Sequence, residues 1–236
     1  MSPRPRRIDQ TPNLQEVIKE TAWKQISELG APALSLRAIA RKLGITAPAI
    51  YNYFPSRDNL VTALIVDAFT SLAESQKQSI KKKSASKLEQ RFTALGIAYR
   101  DWALENEQRY QLIFGTPIPG YVAPEDVTTP AAAWALVPLT ETLQALYKAG
   151  KLRVERLPKL TSALKSMLEA WRKFVGESGG DTNIEVLYLS YVVWSHVHGL
   201  VSLELGHQTP SFITDPGEIF RREVNMMLAL YVGEAE

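Results

Sequence analysis

The chain has 236 residues, 45% hydrophobic and 22% charged, so one large or two modest domains can bury a full core and wholesale disorder is excluded. It contains no cysteine, which removes disulfides, thiolate metal sites and cysteine nucleophiles together and fits a reducing cytosol. The net charge of +2 is unevenly placed: residues 1–60 hold nine Lys/Arg against five Asp/Glu, the remainder eighteen against twenty. A polyanion partner is therefore expected for the N-terminal part alone, with a merely solubilising tail as the plainer reading.

The opening MSPRPRRIDQTPN is basic, lacks a following apolar run and does not read as a secretory signal. Strand signals are scarce after it, and helical periodicity runs almost throughout. Residues 13–29 place Leu14, Ile18, Ala22, Ile26 and Leu29 on one stripe and end at Gly30, a good stop residue. Ser35 is positioned to cap a second helix with the stripe Leu36, Ile39, Ala40 and Leu43, ended by Gly44. Thr46 then caps TAPAIYNYF, with Pro48 in its first turn, where a missing N–H costs little. Pro55 stops that helix. Ser56 caps a long one that runs into the lysines at 81–83, with Asp58 and Asp67 early and the lysines last, as the helix dipole prefers. Further helices are expected at about 86–106, 108–114, 130–149, 158–177, 183–205 and 216–232, with breaks at GTPIPGYVAPEDVTTP (115–130) and ESGGDT (177–182). The apolar stretch 187–205 has the length of a membrane span, but its two His, one Glu and three Ser point to a buried or subunit-facing helix.

Residues 35–54, SLRAIARKLGITAPAIYNYF, fit a helix-turn-helix. Ala40 lies where the two helices cross, and its small side chain lets their backbones approach. Gly44 can take the left-handed conformation that the tight turn needs. Ile50 faces back onto Leu36, Ile39 and Leu43. The second helix then presents its N-terminal half outward, as a recognition helix does in the major groove. Spacing alone leaves an ordinary helical hairpin equally open.

The stretch LRAIARKLGITAPAIYNYFPSRDNLVTALI (36–65) resembles the DNA-binding domain of the TetR/AcrR family of bacterial repressors. Gly30, Ser35, Ile39, Ala40, Leu43, Gly44, Ile50, Tyr51, Tyr53, Phe54, Ser56 and Leu60 carry the resemblance. WALENEQRYQLIFGTPIPGY (102–121) and WSHVHGLVSLELGHQ (194–208) resemble one effector-domain group of that family, the latter through its Trp-His-Gly pattern at Trp194, His198 and Gly199. The segment 150–182 is longer than that group's pattern. The resemblance implies an all-α homodimer whose last two long helices form the dimer face. It also implies a C-terminal pocket where an inducer changes the separation of the two reading heads.

Tyr51, Tyr53 and Arg57 occupy positions that resemble the family's phosphate contacts; packing inside the small domain is the alternative for either tyrosine. The capped N-termini at Ser35, Thr46 and Ser56 offer further N–H groups to phosphate. Arg37, opposite its helix's apolar stripe, is expected to fork onto a guanine. Thr46, Ala47, Pro48 and Ala49 suit thymine methyls, and Asn52 suits an adenine or a phosphate. Arg41 and Lys42 read as a solvated face. Arg4, Arg6 and Arg7, in an arm extended by its prolines, resemble arms that enter the minor groove; a tail without DNA contact stays equally open.

The second half is rich in aromatic residues, most of them expected in the core. Trp102, Tyr110, Phe114, Trp134 and His198 are the residues expected near a largely apolar pocket. Trp194, Ser195, Gly199, Ser202, Phe220 and Val224 are expected at the dimer face. His196 and His198 are poorly spaced for one ion, so no metal site is expected. No phosphate loop, nucleophile elbow or acid–base cluster is present, which argues against an enzyme.

The reading is an all-α fold: a basic arm (1–12), a helix-turn-helix DNA-binding domain (13–60) and a helical effector-binding and dimerisation domain (61–236), with 61–82 in the connecting helix. The expected function is a cytoplasmic transcriptional regulator, a repressor that binds a palindromic double-stranded DNA operator as a homodimer. A small, largely apolar inducer of unknown identity releases it, without cofactor or membrane association. The alternative is a DNA-binding regulator with no small-molecule ligand, or one that answers to a protein partner.

Overall fold

The computed structural model describes residues 13–179 and 182–233, apart from the side chains of 174–179. Among these residues the chain forms α1 (Leu14–Leu29), α2 (Leu36–Leu43), α3 (Ala47–Tyr51), α4 (Arg57–Lys81), α5 (Leu88–Glu105), α6 (Glu107–Phe114), α7 (Glu125–Lys148), α8 (Ser162–Gly179), α9 (Ile184–Leu205) and α10 (Pro216–Tyr231). The all-α reading holds. Helix α7 begins earlier than the proline-rich stretch suggests and contains both Pro130 and Pro138. Thr142 Oγ donates to the Pro138 carbonyl at 2.8 Å.

The chain divides into two compact units. One takes Met1–Ala68 and Gln108–Thr128, the other Phe69–Glu107 and Thr129–Glu236. The first unit therefore extends past the expected boundary at residue 60 and also takes in α6 from Gln108 onward with the loop that follows.

The first unit closes around Ile18, Ala22, Ile39, Ile50, Phe54, Leu60 and Leu64, all at most 3% exposed. Burying a side chain of this size stabilises by roughly 1.5–3 kcal/mol. Leu29, expected on the stripe of α1, is instead 63% exposed, at the last position before Gly30 ends the helix. Gln25 of α1 is buried and accepts a hydrogen bond from the Ser35 N–H at 3.0 Å, pinning the start of α2. Lys19 lies 2.7 Å from both Glu16 and Asp67, tying α1 to α4. The α6 segment joins this unit through side chains. Arg109 sits over the Trp23 ring at 4.9 Å, and the hydroxyls of Tyr121 and Thr62 are 2.9 Å apart.

In the second unit, α10 packs on α5 and α9, and α8 packs on α9. Gly96 of α5 faces Val224 of α10 so closely that an added Cβ would stand 3.0 Å from a Val224 methyl. Buried Gln76 of α4 donates to the Ala135 carbonyl of α7 at 2.8 Å. Arg100 of α5 forks onto Glu204 of α9, with Nε at 2.8 Å and both side chains mostly buried.

Candidate nucleic-acid interface

The turn between α2 and α3 is built by local chemistry. Ser35 Oγ accepts from the Ala38 N–H at the start of α2. At its end Gly44 adopts φ +67°, and the N–H groups of Gly44 and Ile45 return to the carbonyls of Arg41 and Ala40 at 3.2 and 3.0 Å. This is the paired bonding of a glycine-terminated helix, and it satisfies carbonyls that would otherwise be orphaned. Ile45 then tucks in, 9% exposed.

Helix α3 starts after Thr46, whose backbone occupies the capping position; its side chain makes no capping bond, contrary to the expected role. Ile50 and Phe54 are 0% and 3% exposed and anchor the segment. The opposite side is open: Thr46, Ala47, Pro48, Tyr51, Asn52 and Tyr53 are exposed, and Ala49 is half-buried. Tyr51 and Tyr53 retain 39% and 41% exposure. Arg37 is exposed and makes no ion pair or hydrogen bond with a described residue.

Arg57 is placed differently from the other expected contacts. Its Nε donates to the Leu34 carbonyl at 3.2 Å, and its Nη2 donates to those of Ala31 and Pro32 at 3.3 and 3.1 Å. The guanidinium thus ties the start of α4 to the turn that precedes α2. Nothing in sequence spacing signalled this, because the acceptors are backbone atoms more than twenty positions away. The Ser56 cap is present and reciprocal: Ser56 Oγ accepts from the Asn59 N–H at 3.1 Å and donates to its Oδ1 at 2.7 Å. Lys42 pairs with Glu28 at 3.3 Å, consistent with a solvated face. Arg4, Arg6 and Arg7 lie outside the described residues.

A family model described as bacterial regulatory proteins of the tetR family matches residues 18–64. A tetracyclin repressor-like C-terminal domain model matches residues 92–227. The chain belongs to the TetR family. It is 32% identical over 226 residues to the HTH-type transcriptional regulators Rv1816 of Mycobacterium tuberculosis and Mb1846 of Mycobacterium bovis, with 95% of each chain covered. The crystal structure of the regulatory protein SCO4313 is 34% identical, with a TM-score of 0.74 over 97% of this chain and all of that one. A Rhodococcus protein at 18% identity shares the fold, with a TM-score of 0.71 over 94% of this chain and 97% of that one. The TetR family and the two mycobacterial relatives are transcriptional regulators, not enzymes.

The residues expected near the TetR inducer pocket fall in both units. Tyr110 and Phe114 belong to the first unit, their rings 5.1 Å apart. In the second unit Trp102 is buried and donates to Ser71 Oγ at 3.0 Å. Trp134 is 37% exposed beneath Lys77, whose Nζ lies 3.2 Å from the ring centroid. His198 meets Tyr99 at 2.8 Å and stacks with Trp194 at 5.1 Å. Burial pushes the His198 imidazole below its ordinary pKa. His196 instead pairs with Glu223 at 3.0 Å, so the two histidines have separate partners.

Two residues expected at the dimer face require correction. Phe220 and Val224 are each 1% exposed, because Arg100 lies over the Phe220 ring and Gly96 admits Val224 against α5. Ser195 is exposed, and Trp194, Gly199 and Ser202 are half-buried. The outward stripe of α10 is Ile219, Met226 and Leu230, at 37%, 48% and 42% exposure.

Proposed function

We propose that the chain is a repressor that binds a palindromic operator as a homodimer and is released by a small, largely apolar inducer in the second unit. The observation that carries the DNA reading is the two-sidedness of the segment 46–54. Ile50 and Phe54 are buried, while Ala47, Pro48, Tyr51, Asn52 and Tyr53 face solvent beside the unpaired Arg37. The small first turn lets backbone approach base edges, and the two tyrosines reach phosphates on either wall of the groove. Arg37 supplies a fork for guanine. Arg57 serves as a brace for the preceding turn.

The inducer reading rests on the match to a tetracyclin repressor-like C-terminal domain. The dimer reading is supported by apolar side chains left outward on the last two helices, Tyr191 with Ile219, Met226 and Leu230. A DNA partner places the work of the protein in the cytoplasm. Selection of bound sequences from random duplex DNA tests the reading. A palindrome with half-sites about one helical turn apart, or a multiple of that, is expected. Recovery of a single unrepeated half-site would exclude the symmetric dimer, and recovery of no preferred sequence would exclude specific recognition.

A further inference from the structure

The second unit carries an open cleft of about 530 Å³ between the end of α4, one face of α5 and Leu228 of α10. Its volume lies within the range of small-molecule sites, roughly 300–1,000 Å³. The floor is a continuous stripe of α5, with Ala94, Ile97 and Ala98 half-buried. From Gln90 to Asp101 that stripe runs about 16 Å at the helical rise. Helix α10 leaves it uncovered because its core side chains, Val224 and Met227, are directed elsewhere, and Leu228 alone forms a wall.

One end of the cleft is cationic. Lys82 and Lys83 line it and are exposed, and their side chains make no ion pair or hydrogen bond with a described residue. The acid beside them, Glu89, is held by Lys151 at 2.7 Å, so it does not cancel their charge. Asp101 stands at the far end of the stripe. Lysines at the end of α4 also suit the helix dipole, which accounts for their sign but not for the apolar Ala94, Ile97 and Ala98 in the same cleft.

We propose that this cleft is a small-molecule site for an amphipathic organic carboxylate, its apolar body along α5 and its head at Lys82 and Lys83. None of Trp102, Tyr110, Phe114, Trp134 and His198, the residues expected near the inducer pocket, lines this cleft. A positive end and an apolar trough select against both a neutral chain and a cationic one of the same length.

Calorimetric titration of the full chain without DNA tests this, independently of any role in regulation. The probes are decanoate, decanol and decylamine. Decanoate is expected to bind at least about tenfold more tightly than the other two. The double charge reversal Lys82→Glu with Lys83→Glu, at exposed positions, should abolish that preference. Ala98→Trp, which fills the trough, should abolish binding of all three. Equal binding of decanol would overturn the assignment, as would tighter binding of decylamine to the Asp101 end. So would decanoate binding unchanged by the charge reversal, a variant whose fold circular dichroism checks independently of Ala98→Trp.

Discussion

The phenol of Tyr99 on α5 lies 2.8 Å from Nδ1 of His198 on α9, and Ser202 Oγ lies 3.4 Å from the other ring nitrogen. Burial lowers the pKa of this imidazole. The folded chain therefore keeps it neutral where the unfolded chain, with a pKa near 6.5, already protonates it. The stability it contributes is full above about pH 6.5 and is lost as pH falls through the depressed folded value. Thermal unfolding midpoints of the wild type should drop between pH 7.5 and 5.5. His198→Gln should show a shallower drop. An identical drop in the variant would mean that the folded state accommodates the charged ring.

The glycine at the helix-turn-helix corner makes a sharper prediction. Gly44 sits at φ +67° with ψ 25°, where a side chain costs about 1–2 kcal/mol. Gly44→Ala should lower stability by that amount and weaken DNA binding only in proportion to unfolding. Urea titration reads the first effect. No change in midpoint would show that the turn relaxes to a right-handed conformation.

What was legible in the sequence divides along the range of the interactions. The α2–Gly44–α3 corner was legible because its cap Ser35, its glycine and its anchors Ile50 and Phe54 all lie within the single twenty-residue stretch 35–54. The outward position of Arg37 followed from the same periodicity. The brace by Arg57 was not legible, because its acceptors are carbonyls of a turn far away in sequence. Phe220 and Val224, expected at the subunit face, show the same limit: a sequence does not say what covers a buried side chain, and here Arg100 and Gly96 cover them within the chain. That Tyr110 and Phe114 belong to the first unit was not legible either, since α6 and the loop after it are tied there by Arg109 on Trp23 and by Tyr121 on Thr62, contacts between distant segments.

Arg37 and Arg57 should separate cleanly on mutation. Arg37→Ala should weaken operator binding by about 1–3 kcal/mol and relax preference at one base pair per half-site. Equal losses on operator and random DNA would remove its base-reading role. Arg57→Ala breaks hydrogen bonds from a charged donor and should lower stability by roughly 1.5–3 kcal/mol. It should leave the salt dependence of DNA binding unchanged. A log–log salt slope reduced by about 0.9 per chain would instead identify Arg57 as a phosphate contact.

The outward stripe of α10 offers a test of the proposed homodimer. Met226 and Leu230 are 48% and 42% exposed, one helical turn apart, and Tyr191 on α9 is 55% exposed. Apolar side chains of this size left in water favour association, since burial returns roughly 25 cal/mol per Å². Charges introduced into such a face must be desolvated without partners, at a cost of several kcal/mol each. Met226→Glu combined with Leu230→Glu should therefore yield a folded monomer, because both positions are exposed while Val224 and Met227 fill the core. Sedimentation should show the mass of one chain, and circular dichroism an unchanged helix content. The monomer should retain weak binding to random DNA and lose its preference for the palindrome, since each reading head then holds a half-site alone. A variant that still sediments as a dimer would place the subunit contact on another face.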